Sequence, residues 1–230
     1  MLYHNTFFSD EQQKLELEFQ SEKTTVLCSR YDEASGILRH LCGVEDIKDN
    51  EKIDEQLITH GTEMPKVGYL FRIGALLSNL SLQENISLPY KYYYPEEQWQ
   101  LFQEKTQHWL ELFRLNIDLN LRPALVSPSV QKVVSYIRTI LMDIKILCAD
   151  DPLFELSYWY KKKMVDCLTE LKESNFTMII GTNDLFVIEQ VADVVLLIDN
   201  YEITQVLRCD DGHREHNLDI IKECLTKWWL

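Results

Sequence analysis

Leu15, Leu17 and Phe19 alternate with Glu16, Glu18 and Gln20, the period of two that marks a half-exposed strand. After a break at Ser21 to Lys23, Thr24-Thr25-Val26-Leu27-Cys28 is a run without that alternation, and it predicts a more buried strand. A polar loop follows, and then Ile37, Leu38, Leu41 and Val44 recur at helical spacing with Gly43 as the stop. Glu45 to Glu63 is acidic and polar, which predicts a surface excursion with short strands. Val67 to Phe71 predicts another strand, ahead of Arg72-Ile73-Gly74-Ala75-Leu76-Leu77 and Glu84-Asn85-Ile86-Ser87-Leu88-Pro89.

A tyrosine cluster, Tyr90 and Tyr92 to Tyr94, precedes Pro95, which suits the first turn of a helix. Trp99, Phe102, Trp109, Leu110 and Phe113 fit one face of a helix over Glu96 to Leu115. Packing of that face on its neighbours is the plain expectation, with presentation of the exposed aromatics to a partner as the alternative. Ser127-Pro128 is an N-cap followed by a first-position proline, and Val130, Val133, Val134, Ile137 and Leu141 form the stripe of the helix it starts. Ile146 to Ala149 then reads as a buried strand of a parallel sheet, ending in Asp150, Asp151 and Pro152. Helix at Val165 to Leu171, strand at Thr177 to Gly181, helix at Phe186 to Ala192, strand at Val194 to Ile198 and a closing amphipathic helix through Leu218, Ile221, Leu225 and Trp228 complete the pattern. Such alternation predicts an α/β domain with a parallel sheet, whose carboxyl edge is where ligands bind.

At 230 residues and 46% apolar content the chain supports one large α/β domain with a full core. A net charge of -14 argues against nucleic acid and against direct adsorption to an anionic bilayer, so membrane attachment is expected to go through a protein. Cys28, Cys42, Cys148, Cys167, Cys209 and Cys224 are dispersed, several inside apolar runs, as small hydrophobes of a reducing compartment. Met1 to Asp10 has neither the basic flank nor the apolar core of a signal peptide, and no apolar run approaches membrane-span length. The expected location is cytoplasmic. No metal centre is expected, at His213 and His216 or elsewhere.

Strand, loop and helix in succession form the context of a phosphate-binding loop, yet Ser29-Arg30-Tyr31-Asp32-Glu33-Ala34-Ser35 lacks its chemistry. A phosphate cradle uses glycines so that successive N–H groups converge on the anion, and a lysine to reach the terminal phosphates. No glycine lies in this stretch, Asp32 and Glu33 are negative, and Arg30 is its one cation. The helix dipole is worth about 0.3–1 kcal/mol at a surface, and two nearby carboxylates oppose a polyphosphate by at least as much.

In spacing and apolar framework, roughly residues 15 to 205 resemble the ATP-binding subunits of ABC transporters. Cys28 to Val44 matches the length of their phosphate loop and helix. Val67 to Pro89 resembles their glutamine-loop region, most of all the form found in Mla-type (MCE-associated) lipid transporters, through Gly-Ala-Leu-Leu, Glu-Asn-Ile and Leu-Pro. The resemblance implies a single domain over 1–230 with the P-loop NTPase-like ABC ATPase fold: a mostly parallel sheet core, an antiparallel β edge and a helical subdomain at approximately 90–143.

Residue by residue, the resemblance places Ala34 at the phosphate-loop lysine and Arg72 at the glutamine. Pro123 and Ser127, Pro128 and Ser129 fall in the signature slot, where Pro128 and Ser129 set side chains against a partner's phosphate, and Arg138 lies in the helix that follows. Asp150 stands at the metal-associated aspartate, Asp151 at the catalytic glutamate, Ser157 in the downstream loop and Asn183 at the switch histidine. Asp151 is one methylene short for a general base, and Asn183 has no imidazole proton chemistry. Asp150 and Asp151 are therefore expected to be two solvated acids at a strand end.

The function implied is that of a catalytically degenerate subunit on the cytoplasmic face of an Mla/MCE-like lipid transporter, structural or regulatory, without ATP or Mg. It is expected to dock on an integral membrane permease through Arg72, Gly74, Ala75, Leu76 and Leu77, and to pair with an active ATPase or with itself. The alternatives are an active ATP- and Mg-dependent subunit with divergent motifs, and a soluble adaptor on the same fold.

Overall fold

The computed structural model describes residues 1–8, 14–45, 52–55, 57, 65–95, 98–209 and 212–228. The expected surface excursion over Glu45 to Glu63 lies largely outside them; Lys52 forms an antiparallel bridge with Thr6.

Strands β1 (Leu2–Phe8) and β2 (Lys14–Gln20) pair antiparallel as a separate small sheet. The main sheet is built from β3 (Thr24–Ser29), β4 (Val67–Leu70), β5 (Ile146–Asp150), β6 (Thr177–Gly181), β7 (Val194–Asp199) and β8 (Glu202–Arg208), in the spatial order β4-β5-β6-β3-β7-β8. All its pairings are parallel except that of β8, which returns antiparallel along β7. The parallel strands are those the sequence pattern predicts, and the antiparallel edge is the one the resemblance implies.

Sidedness within the sheet follows from the period of two. Leu27, Ile146, Cys148, Ile179 and Ile198 face helix α1 (Glu33–Leu41) and the inner residues of the small sheet, among them Phe7, Leu15 and Leu17. Val26, Leu147, Ala149, Met178, Ile180 and Val195 face the opposite way, into the larger core. That second core is covered by α4 (Pro128–Ile140), α5 (Tyr158–Glu173), α6 (Leu185–Val191) and α7 (Arg214–Trp228). Every residue of β5 and β6 is buried, so neither strand alternates in polarity. Each Leu or Ile so placed contributes about 1.5–3 kcal/mol.

Between β4 and β5 the chain is helical: α2 (Leu82–Tyr93), α3 (Trp99–Leu112), a 3₁₀ turn at Pro123–Leu125, and α4. Helix α2 begins on a complete capping box, with the Ser81 hydroxyl accepting from the Glu84 N–H and the Glu84 carboxylate accepting from the Ser81 N–H. It carries Pro89 inside and takes in most of the tyrosine cluster. In α3, Phe102 is buried and Trp99, Trp109 and Leu110 pack against the core, so the aromatic face is used internally, while Tyr92 of α2 stays exposed. Helix α1 ends at Leu41 rather than reaching Val44, and Gly43 supplies the left-handed turn with φ of 64°.

Candidate functional site

The loop after β3, the acids after β5 and the Thr182-Asn183-Asp184 segment after β6 meet at the carboxyl edge of three adjacent strands, with Asp150 directly opposite Gly181 in register. They enclose a cleft of about 240 Å³ that is also lined by Arg72. Its volume is below the roughly 300–1,000 Å³ usual for small-molecule sites.

On one wall, three donors at the β3–α1 junction bond to its own oxygens. The Tyr31 N–H donates to the Glu33 carboxylate at 2.9 Å, the Ala34 N–H to the Ser29 hydroxyl at 3.2 Å, and the Gly36 N–H to the Asp32 carbonyl at 3.0 Å. Glu33 is buried and its other carboxylate oxygen accepts from the Asn200 N–H at 3.1 Å. Arg30 turns outward, 3.9 Å from Asp199 and over the Tyr31 ring. Asn183 closes the loop from β6 by donating its amide to the Ser29 carbonyl at 2.8 Å. The residue at the switch position is thus a strut between two strand ends.

The paired acids differ from the expectation of two solvated carboxylates. Asp150 is only 7% exposed, and its Oδ2 accepts from the Ser35 hydroxyl at 2.7 Å and from the Tyr69 hydroxyl at 2.9 Å. Buried polar groups are stable when hydrogen-bonded, and β4 and α1 deliver both donors. Arg39 in turn donates to the Ser35 oxygen at 2.7 Å and pairs with Glu45. Burial and the Asp150 charge raise the Tyr69 phenol above its usual range, so it remains a donor. Asp151 takes a left-handed backbone with φ of 42°, a conformation that Asp tolerates better than most residues. Its carboxyl is pushed upward by burial, against the attraction of Lys132 and Arg72. The Arg72 guanidinium lies 3.8 Å from Asp151, 3.8 Å from Asp32, and over the Phe154 ring, so a cation spans the cleft.

Lys132 is the residue that sequence reasoning missed. It is 1% exposed, and its ammonium donates to the backbone carbonyls of Arg72 and, at 2.8 Å, Asp151. A lysine beside the apolar stripe of α4 looks solvent-facing by periodicity; only the strand ends above it create the need for a donor. Tyr69 was missed for the same reason, because its partner Asp150 lies far along the chain; Arg39 and Asn85, which bond to residues close in sequence, were missed as well.

In the signature slot, Ser127 caps α4 as predicted, its hydroxyl accepting from the Val130 N–H at 3.4 Å. Ser129 does not project outward as the sequence suggested. It is buried, donating to the Glu155 carbonyl at 3.1 Å and accepting from the Ser157 N–H at 2.9 Å. The segment expected to dock a partner is placed by α4 and α2. Arg138 donates to the Ala75 carbonyl at 2.7 Å, and the buried Asn85 side chain brackets the Leu77 backbone through its N–H at 2.7 Å and its carbonyl at 3.0 Å. Gly74 runs so close to α4 that an added Cβ would sit 2.8 Å from the Gln131 backbone. The most exposed apolar residue of the segment is Ile73, at 57%, which sequence reasoning left out; Leu77 is exposed and Leu76 packs on the core.

No family model matches the chain. It is 27% identical over 165 residues to the general L-amino acid transport ATP-binding protein AapP of Rhizobium johnstonii, covering 71% of this chain and 60% of that protein. With the glutamate/aspartate import ATP-binding protein GltL of Escherichia coli it shares 24% identity over 199 residues, 84% of this chain and 82% of that one. Among solved structures, the ATP-binding subunit of an ABC transporter superposes with a TM-score of 0.77 over 98% of this chain and 99% of its own, at 18% identity. The ATP-binding cassette MJ0796, as a post-hydrolysis dimer bound to ADP and Pi, gives 0.71 over 91% and 99%, at 17% identity. In sequence the chain is similar to transport ATP-binding proteins, and its fold is that of the solved ATP-binding subunits.

Proposed function

We propose that the protein is a non-hydrolysing ABC ATPase-fold subunit that docks through Arg72 to Leu77 on the cytoplasmic side of an integral membrane permease, in a structural or regulatory role. What carries the reading is the β3–α1 loop, whose donors at Tyr31, Ala34 and Gly36 bond to its own oxygens while Ala34 offers no cation. Phosphoryl transfer is mainly positioning and charge neutralisation, and these residues do not fit a polyphosphate: the cleft is small, acidic and already bridged by Arg72. Partnership with a permease follows from the likeness to transport ATP-binding proteins, and pairing with a second ATPase-fold chain from the dimeric MJ0796. Among the described residues no helix is long and apolar enough to cross a membrane, so the permease is the anchor in this reading. AapP and GltL are named for amino-acid transport, and the Mla/MCE-like lipid cargo rests on the Gly74 to Leu77 and Leu88-Pro89 resemblance alone.

A second reading, an ATP- and Mg-dependent enzyme with divergent motifs, is favoured by one contact: Ser35 and Asp150 meet at 2.7 Å, a hydroxyl–carboxylate pair that a divalent ion can share. Calorimetric titration with Mg-ATP separates the two. The expected result is no binding at millimolar nucleotide. Micromolar binding, with turnover abolished by Asp150→Ala, establishes the second reading instead. Copurification with a permease from detergent-solubilised membranes tests the docking, and lipid analysis of that complex tests the cargo.

A further inference from the structure

We infer that Lys132, from behind the cleft, locks the Arg72–Leu77 segment into one conformation whether or not a ligand is bound, so that the proposed docking surface is permanently formed. Its ammonium joins the carbonyl of Arg72, just beyond β4, to the carbonyl of Asp151, just beyond β5, and both residues line the cleft. A ligand entering from the front meets the Arg72 and Asp151 side chains; the backbone of both is held from the other side.

Further attachments continue the lock along the segment. The Gly74 backbone lies against Gln131 and Lys132 of α4, Arg138 holds the Ala75 carbonyl, and Asn85 holds both polar groups of Leu77. The segment has no strand or helix of its own, so side chains from α4 and α2 supply the order that a backbone ladder supplies elsewhere. Without Lys132 the carbonyls of Arg72 and Asp151 would lose that donor. Lysine suits the task because one compact ammonium with three donors can serve two carbonyls at once. A loop held in this way presents Ile73 and Leu77 without first being ordered, which removes an entropic cost from partner binding.

This inference rests on the docking reading for its use, but its test does not. Arg72 is half-exposed and precedes the exposed Ile73, so trypsin reads whether the segment opens. Cleavage of the Arg72–Ile73 bond is followed by mass spectrometry on the purified chain, with and without millimolar Mg-ATP, in the native protein and in Lys132→Met. The native protein is expected to resist equally in both conditions, and Lys132→Met to be cut at that bond about tenfold faster, the opening expected when charge-assisted hydrogen bonds are lost. Protection that appears only with Mg-ATP, or equal cleavage of native and variant chains, overturns the lock. The native comparison needs no variant, so it decides ligand independence even where Lys132→Met fails to fold. Measurable ATP turnover alongside ligand-independent protection overturns the proposed function and leaves the lock standing.

Discussion

Lys132 behaves least like its residue type. Burial lowers its ammonium from 10.5 to about 8, and the carboxylates of Asp151, Asp150 and Glu155 oppose that shift. Below pH 8 both folded and unfolded chains hold the proton, and the folded state bears the full burial penalty. Between pH 8 and 10.5 the unfolded chain binds more protons, so stability rises with pH, by up to about 3 kcal/mol. Urea midpoints of the native protein relative to Lys132→Met are therefore expected to climb across that window; parallel curves would falsify the assignment. Tyr69 poses a simpler case, one hydroxyl donating to a buried carboxylate. Tyr69→Phe is expected to cost about 1.5–3 kcal/mol in urea unfolding, because Asp150 then keeps only Ser35. Asp150 was legible from sequence as an acid at a strand end, but not its partners, since residues 35 and 69 are remote in the chain.

At the scale of elements, most of the framework was readable from hydrophobic periodicity. Two strands escaped it. In β1 the inward positions are Tyr3, Asn5 and Phe7, and the buried Asn5 breaks the apolar alternation. In β8 no residue is buried, so there is no inward face to detect. Helix α2 was hidden by Pro89, a residue that argues against helix interiors and is tolerated here eight residues into the element. Its capping box carries a measurable share of its stability. Ser81→Ala is expected to destabilise the protein by about 1 kcal/mol, read as a shift in thermal midpoint without a change in far-ultraviolet dichroism. A larger loss would mean that α2 nucleates the packing of α4 and not only its own first turn.

At the scale of the molecule, charge bears on the proposed attachment. A net charge of -14 repels an anionic leaflet, and the proposed attachment through a permease would avoid that repulsion. The purified chain is expected to stay in the soluble fraction in flotation with phosphatidylserine-containing vesicles, at low as well as moderate salt. Flotation that weakens as salt rises would point instead to a direct electrostatic contact. The two cores on opposite faces of one sheet make the strand ends a single rigid edge, and the cleft inherits its geometry from them.

The alternation of strands and helices, the absence of glycine and lysine from Ser29 to Ser35, and the acids at the end of β5 were settled by the amino-acid sequence alone, because periodicity and residue chemistry are local properties. Tertiary structure alone decided that Asp150 is sequestered by Ser35 and Tyr69, that Ser129 turns inward, and that Lys132 binds two loops together. These are pairings across long stretches of chain. Nothing in a local pattern states which distant carbonyl will need a donor until the strands that carry it have been laid side by side.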